Sequence, residues 1–239
     1  MLELLIWIVP LVCSGIILAF GSFSKKLIKV LAFFSVVFCL ISSVGLRNTS
    51  KELIYPWIPS LGLNFEILLD KWSDTFNIVV SLIGTIILFY SFDYIKEGFV
   101  RYYSLFSLFI GSMIGFVLSG NFVQLFIFWE LMGVCSYLLI GFWYKKEKAV
   151  NAGLKAILTT KIGDVCLFLA ILLFFLSTDS FSLSSLNSLS LFKQPISVLL
   201  IFAVLTKSAQ FPFYFWLADA MEGPTTVSAL LHSATMVAS

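Results

Sequence analysis

The sequence predicts an all-α integral membrane protein, and three observations support this fold class. Of its 239 residues, 60% are hydrophobic and only 12% are charged, about half the charged fraction of a typical soluble domain. Its mean hydropathy is +1.03. Apolar runs long enough to cross roughly 30 Å of hydrocarbon recur along the chain. We therefore expect lipids around the protein, and a net charge of only +2 gives no indication of a nucleic-acid partner.

The apolar runs predict about eight transmembrane helices with a broken seventh helix. In chain order, the predicted spans cover about 1–21, 28–46, 75–92, 103–120, 121–143, 152–176, 195–222 and 223 onward. The seventh is too long for one plain span, and Pro212 interrupts it because proline lacks an N–H and clashes with the preceding turn. The longest connection is predicted to be ordered extramembrane chain near the headgroups. We divide the chain into an N-terminal two-helix segment with this loop (1–74) and a helix bundle (75–239).

Basic residues predict the orientation of the bundle. The loops after spans one, three and five and the residues bordering them carry Lys25, Lys26, Lys29, Lys96, Arg101, Lys145, Lys146 and Lys148. The opposite loops and their borders carry Arg47, Lys51, Lys71 and Lys193. Short basic loops favour the electrically negative side of a membrane. A bias of eight against four therefore places the N-terminus outside, in the periplasm or the intermembrane space.

The sequence contains no recognisable cofactor motif. Four cysteines, Cys13, Cys39, Cys135 and Cys166, lie singly in apolar runs without CxxC or Cys/His pairing, a pattern typical of small buried side chains. Haem and iron–sulfur ligation are therefore not indicated, and no soluble-enzyme signature occurs. We expect any redox chemistry coupled to this protein to occur in other chains.

Charged residues inside the predicted spans are the strongest candidates for function. A charge at the bilayer centre costs at least about 2.5–3.5 kcal/mol, so such residues are usually paired and functional. Glu130 lies near the middle of span five. Lys161 and Asp164 are three residues apart in span six, on one helix face and able to pair. For these two residues a structural salt bridge and a functional one remain alternatives.

Lys207 precedes the predicted break by about one turn. Backbone groups freed at a break survive at membrane depth only inside protein or beside a water-filled cavity, and a buried lysine there can exchange its proton. His232 lies in an apolar helix rich in small residues, and structural and relay roles stay open for it. Asp219 and Glu222 precede Gly223-Pro224, and we interpret them as complementing the dipole of the following helix.

Three segments resemble the signature core of the antiporter-like proton-pumping subunits, and most resemble chain 5 (subunit L in bacteria) of NADH–quinone oxidoreductase, respiratory complex I. They are FWELMGVCSYLLIGFWY (128–144), TKIGD (160–164) and TKSAQFPFYFWLADAMEGPTTVSALLHSATMV (206–237). The resemblance implies that proton translocation uses five residues: Glu130, Lys161, Asp164, Lys207 and His232. It also implies that Glu130 pairs with Lys207, and that this pairing governs proton loading.

The resemblance implies further partners. NADH, FMN, iron–sulfur clusters and quinone are expected in other subunits of the complex. Family members have fourteen or more helices, so we expect another polypeptide to supply a C-terminal half, docking beyond Ser239 and carrying a lysine on its own broken helix. Two alternatives are a subunit of a multisubunit Na+/H+ antiporter or of a membrane-bound hydrogenase, and a non-conducting membrane spacer. The 26 phenylalanines and the excess of lysine over arginine favour an AT-rich genome, so we expect the mitochondrial inner membrane, with a bacterial plasma membrane as the alternative.

Overall fold

The computed structural model describes residues 2–21, 24–47, 49–188 and 193–233 of the chain. Six of its helices are long and apolar enough to cross a membrane. They are α1 (Leu2–Phe20), α2 (Lys25–Gly45), α3 (Lys71–Tyr94), α4 (Phe99–Val117), α5 (Phe122–Ile140) and α6 (Glu147–Thr178). The predicted helical membrane fold is therefore confirmed. The expected docking at Ser239 falls outside the described residues.

Polar residues begin several of these helices where the apolar runs start. Ser24 caps α2 by accepting from the Leu27 N–H, and Asn121 caps α5 by accepting from the Gln124 N–H. Asp70 and Ser73 form a reciprocal capping box at the start of α3. Such caps satisfy N–H groups that have no partner within the helix, which apolar surroundings would leave unpaired.

The connection between α2 and α3 contains an antiparallel β-hairpin, which the sequence did not indicate. Its strands are β1 (Lys51–Ile58) and β2 (Leu63–Leu69). Gly62 has a φ of 64°, a left-handed conformation that glycine adopts easily, in the turn between them. Strand β2 is also bonded to the α4–α5 connection, because the Leu68 N–H donates to the Leu118 carbonyl and the Gly120 N–H to the Glu66 carbonyl. The hairpin is thereby fixed against one end of the bundle.

The seventh predicted span is broken, as expected. Helix α7 (Lys193–Lys207) ends at Lys207, and α8 (Phe215–Asp219) begins eight residues later, followed by a 3-10 turn and by α9 (Thr225–Ser233). Pro212 lies in the interruption, after a cis peptide bond, and Ala209 has a positive φ of 50°. Freed backbone groups are satisfied within the protein: Trp216 Nε1 donates to the Thr206 carbonyl at 3.0 Å.

The apolar core has two parts, and the site described below lies where they meet. The larger cluster joins side chains of α1 to α6, α8 and α9, and includes residues of the first two helices. The smaller one joins α5, α6 and α7 through residues such as Trp129, Leu167 and Ala203. The division of the chain near residue 74 stays a prediction.

Candidate proton-translocation site

Helices α5, α6 and α7 bring four of the five predicted site residues into one cluster. Glu130 lies on α5, Lys161 and Asp164 on α6, and Lys207 is the last residue of α7. Close packing of α6 on α7 is possible because Gly163 has no side chain: a methyl group there would overlap the Thr206 hydroxyl. The absent side chain thus sets the distance between the two helices that carry most of the charge.

Lys161 is the centre of the ionic contacts. Its Nζ forms a short salt bridge with Glu130 Oε2 and lies 3.2 Å from Asp164 Oδ2. The predicted Lys161–Asp164 pairing is therefore confirmed. Asp164 is only 4% exposed, so burial isolates its carboxylate and makes pairing more important. One ammonium thus serves two carboxylates from neighbouring helices.

Lys207 is fully buried, with 0% exposure, and its ammonium contacts Trp129. Its Nζ donates to the Trp129 carbonyl oxygen at 2.6 Å and lies 4.2 Å from the centroid of the indole ring. Gly133, one turn further along α5, borders the ammonium, and a Cβ there would make an ordinary contact with Nζ at 3.5 Å. The lysine is thus held by a carbonyl dipole and an aromatic face.

The predicted direct pairing of Glu130 with Lys207 is wrong in this structure. Within the part of the chain that the structure describes, no carboxylate lies within 4.0 Å of the Lys207 ammonium. The reason is geometric. Lys161 of the adjacent helix contacts Glu130, whereas the Lys207 ammonium contacts the backbone carbonyl of Trp129, the residue before Glu130.

Trp129 contacts both Asp164 and Lys207, and it was not among the residues predicted from the sequence. Its Nε1 donates to Asp164 Oδ1 at 2.6 Å, while its carbonyl and ring contact Lys207. A sequence signal was present, because this tryptophan directly precedes Glu130. A tryptophan in an apolar run, however, is usually interpreted as packing, since its indole N–H needs only one partner.

His232 does not join this cluster. It lies half-buried on α9, bordering an apolar groove formed by Ile83, Ile86, Ile87 and Ala229. Its Nε2 atom is buried and has no hydrogen-bond partner among the described residues. Its role as a proton relay stays a prediction.

Asp219 has a different contact from the one expected. Its Oδ2 lies 2.5 Å from Lys155 Nζ of α6, and it ends α8 instead of standing directly before α9. The interpretation of Asp219 as a dipole partner of the following helix stays a prediction, since the contact with Lys155 does not exclude it. Both side chains are well exposed, at 42% and 45%.

Fold and site together define a polytopic membrane protein with a network of ionisable side chains around a broken helix. Residues 119–239 match the family described as NADH:quinone oxidoreductase/Mrp antiporter, TM. Residues 57–103 match the one described as NADH-Ubiquinone oxidoreductase (complex I), chain 5 N-terminus. The chain therefore belongs to the NADH:quinone oxidoreductase/Mrp antiporter family of membrane subunits.

Curated relatives include chloroplastic NAD(P)H-quinone oxidoreductase subunit 5 proteins. That of Manihot esculenta is 39% identical over 96% of this chain and 34% of its own length. That of Physcomitrium patens is 39% identical over 98% of this chain and 37% of its own length. The chain thus spans about a third of the length of the relatives it matches.

Two solved structures resemble the fold over 99% of this chain. The Mrp complex from Dietzia sp. has a TM-score of 0.87 and 31% identity, and the match covers 27% of that chain. The membrane-bound sulfane sulfur reductase, described as an archaeal respiratory membrane complex, has a TM-score of 0.86 over 50% of that chain. At 20% identity, the second resemblance concerns the fold alone.

Proposed function

We propose that this chain translocates protons as part of a chain-5-type subunit of NADH:quinone oxidoreductase, coupled to electron transfer in other subunits. One observation carries the proposal: four ionisable side chains lie together around the break after α7, at membrane depth. Charged groups there are costly and are usually kept for transport of ions or protons. A spacer without transport function has no need for them.

The network supports a division of tasks among its residues. Glu130 and Asp164 hold the Lys161 ammonium between them. Lys207 stands apart on a carbonyl and an aromatic ring. Because a nearby carboxylate favours the charged form of a lysine, a movement that brings Glu130 or Asp164 toward Lys207 loads it with a proton. A return to the described arrangement, in which a carbonyl and an aromatic face hold the ammonium, removes that support, so the proton passes more readily to the next acceptor. His232 is the proposed next acceptor.

The surface of the cluster supports the proposal that other membrane chains complete the site. The side chains of Lys161 and Glu130 are 43% and 25% exposed on this chain. Lipid cannot solvate an exposed ion pair at that depth. We propose that a polar segment of another chain, including one that supplies a C-terminal half, covers this pair.

We propose the mitochondrial inner membrane as the location, with the N-terminus facing the intermembrane space. The support is the phenylalanine-rich, lysine-rich composition and the basic loops on the opposite face. The matched relatives named above are chloroplastic, so fractionation of organelle membranes is the direct test. Recovery of the chain in thylakoids would contradict the mitochondrial location and leave the transport proposal intact.

The second candidate function is a subunit of a Na+/H+ antiporter complex, and the structural match to the Mrp complex at 31% identity favours it. The two candidates differ in their neighbours. Purification of the intact complex followed by identification of its chains separates them, since a quinone oxidoreductase brings flavin and iron–sulfur subunits and an antiporter does not.

The test of proton translocation uses Glu130→Gln and Lys207→Ala. Both remove an ionisable group from the cluster, and we expect each to reduce proton pumping strongly while the complex still assembles. Pumping is measured in membrane vesicles as protons moved per electron transferred, normalised to assembled complex. Pumping near the wild-type value in both variants would contradict the proposal.

A further inference from the structure

Trp129 is hydrogen-bonded both to Asp164, which belongs to the ion-paired group, and to Lys207, which stands apart from it. Its indole N–H donates to Asp164, at 2.6 Å. Its backbone carbonyl accepts from Lys207, also at 2.6 Å. Its ring face lies under the same ammonium, 4.2 Å from the centroid.

The bond to Asp164 and the contact of the ring with Lys207 depend on each other because one indole makes both. The N–H bond to Asp164 fixes the rotation of the indole ring, and a bond to a carboxylate is stronger than a neutral one. The fixed ring then offers its negative face to the Lys207 ammonium. Trp129 is only 3% exposed, so water does not compete for either contact. If the bond to Asp164 breaks, the ring is free to turn and the lysine loses its aromatic partner.

The position of Trp129 also separates the charges. Lys207 is close to the cluster of Glu130, Lys161 and Asp164 but makes no ion pair with any carboxylate of the described residues. The indole is hydrogen-bonded to Asp164 through its N–H, and its face lies against Lys207, so it holds the two groups in separate positions.

We propose that Trp129 is a positioning residue that controls when Lys207 reaches a carboxylate. In the described arrangement, it holds the ammonium on its carbonyl and ring, and its N–H bond to Asp164 locks this state. Opening that bond lets the ring turn and brings Lys207 and Asp164 together. The only covalent change is the proton transfer itself: an N–H bond of the Lys207 ammonium breaks, and an O–H or N–H bond forms on the acceptor side chain. The inference rests on the proposed proton-translocating function.

Two substitutions separate the contacts of this side chain. Trp129→Phe keeps an aromatic face and removes the N–H donor. We expect it to slow pumping about tenfold, the shift in an equilibrium that follows from losing one hydrogen bond to a charged group. Trp129→Leu removes the donor and the aromatic face together, so we expect a larger loss. In both variants, electron transfer by the assembled complex continues.

The control is Trp57→Phe. Trp57 lies on β1 and contacts Phe65 of the paired strand, outside the membrane-spanning helices, so the pumping rate and its pH profile should match the wild type. Trp129→Phe should instead shift the pH profile of pumping relative to that of electron transfer. A side chain that only fills space does not produce such a shift.

Combining Trp129→Phe with Asp164→Ala tests the hydrogen bond itself. Since both changes remove the same bond, Trp129→Phe should have a smaller effect in the Asp164→Ala background than alone. Equal effects in the two backgrounds would overturn the proposal, as would wild-type pumping by Trp129→Phe or failure of that variant to assemble, which would assign Trp129 to packing. The Lys207→Ala variant distinguishes failure of the proposed function from failure of the positioning role. If it pumps normally, the proposed function fails as well. If Lys207→Ala does not pump while Trp129→Phe pumps at the wild-type rate, only the positioning role fails.

Discussion

Helix α6 makes two ionic contacts with neighbouring elements, and they use similar residues in different surroundings. Lys155 pairs with Asp219 of α8, and Lys161 pairs with Glu130 and Asp164. The two lysines are almost equally exposed, at 42% and 43%. The acids differ: the side chain of Asp219 is 45% exposed and that of Asp164 only 5%. The environment of the carboxylate therefore separates a surface pair from a candidate transport site.

The two ion pairs also differ in their further contacts. Lys155 and Asp219 lie beside the ring of Phe215 at the surface. Asp164 continues through Trp129 to the fully buried Lys207. An exposed pair is screened and contributes about 0–1 kcal/mol, whereas a buried network couples its members more strongly.

The largest effect is expected from Gly163→Leu. This change separates α6 from α7 and thereby disrupts the cluster of Glu130, Lys161, Asp164 and Lys207. A side chain there overlaps Thr206 and approaches the Ala203 carbonyl, and overpacking of this kind costs about 1–3 kcal/mol or more. We expect loss of assembled complex, measured by native gel electrophoresis. The matched control is Gly15→Leu, because a Cβ at Gly15 meets nothing within 4 Å. Equal assembly of the two variants would show that this close approach is not needed.

A smaller effect, on the pH dependence of hairpin stability, is expected from substitution of Glu66. This carboxyl is buried but not ion-paired within the described part of the chain and lies outside the membrane-spanning helices, so it shows the effect of burial alone. Its side chain accepts from the Ser182 hydroxyl at 2.7 Å, and no lysine or arginine of the described residues pairs with it. Burial raises the pKa of Glu66, the Ser182 hydroxyl opposes this, and nearby Glu52 adds to it.

The sign of the pH dependence follows from that raised pKa. A carboxyl with a higher pKa in the folded than in the unfolded chain stabilises the fold at low pH, and this contribution is lost as pH rises through the folded-state pKa. Hydrogen exchange of the hairpin amides in β1 and β2, corrected for intrinsic rates, should therefore show protection that falls with rising pH. We expect Glu66→Gln to flatten this dependence and Glu52→Gln, an exposed neighbour, to reduce it only slightly. An unchanged slope in Glu66→Gln would assign the dependence to other groups.

Much of the fold was predictable because membranes restrict what a chain can do. Apolar runs at membrane depth must be helical to satisfy their own backbone, and Pro212 favours a break in its helix, although Pro10 lies inside α1 without ending it. The Lys161–Asp164 contact was also predictable, since residues three apart on one helix are neighbours whatever surrounds them. These predictions depend on local geometry alone.

The partners of Glu130 and Lys207 were not predictable in the same way. Contacts between helices depend on the rotation and tilt of each helix, which residue spacing does not specify. Lys161 therefore took the place expected for Lys207, and Trp129 gained a role that a packing interpretation hides. The β-hairpin was missed because prolines are unfavourable inside paired strands, so the loop was predicted only as ordered extramembrane chain.

The most direct test of the proposed proton-translocation site compares the two lysines of α6. Lys161→Met and Lys155→Met remove the same charge from one helix, from side chains of nearly equal exposure. The number of protons pumped per electron should be compared in membrane vesicles containing each assembled complex. We predict that Lys161→Met loses most of this ratio, because Glu130 and Asp164 lose their shared cation, and that Lys155→Met keeps the wild-type value. Equal ratios in the two variants would contradict the central claim.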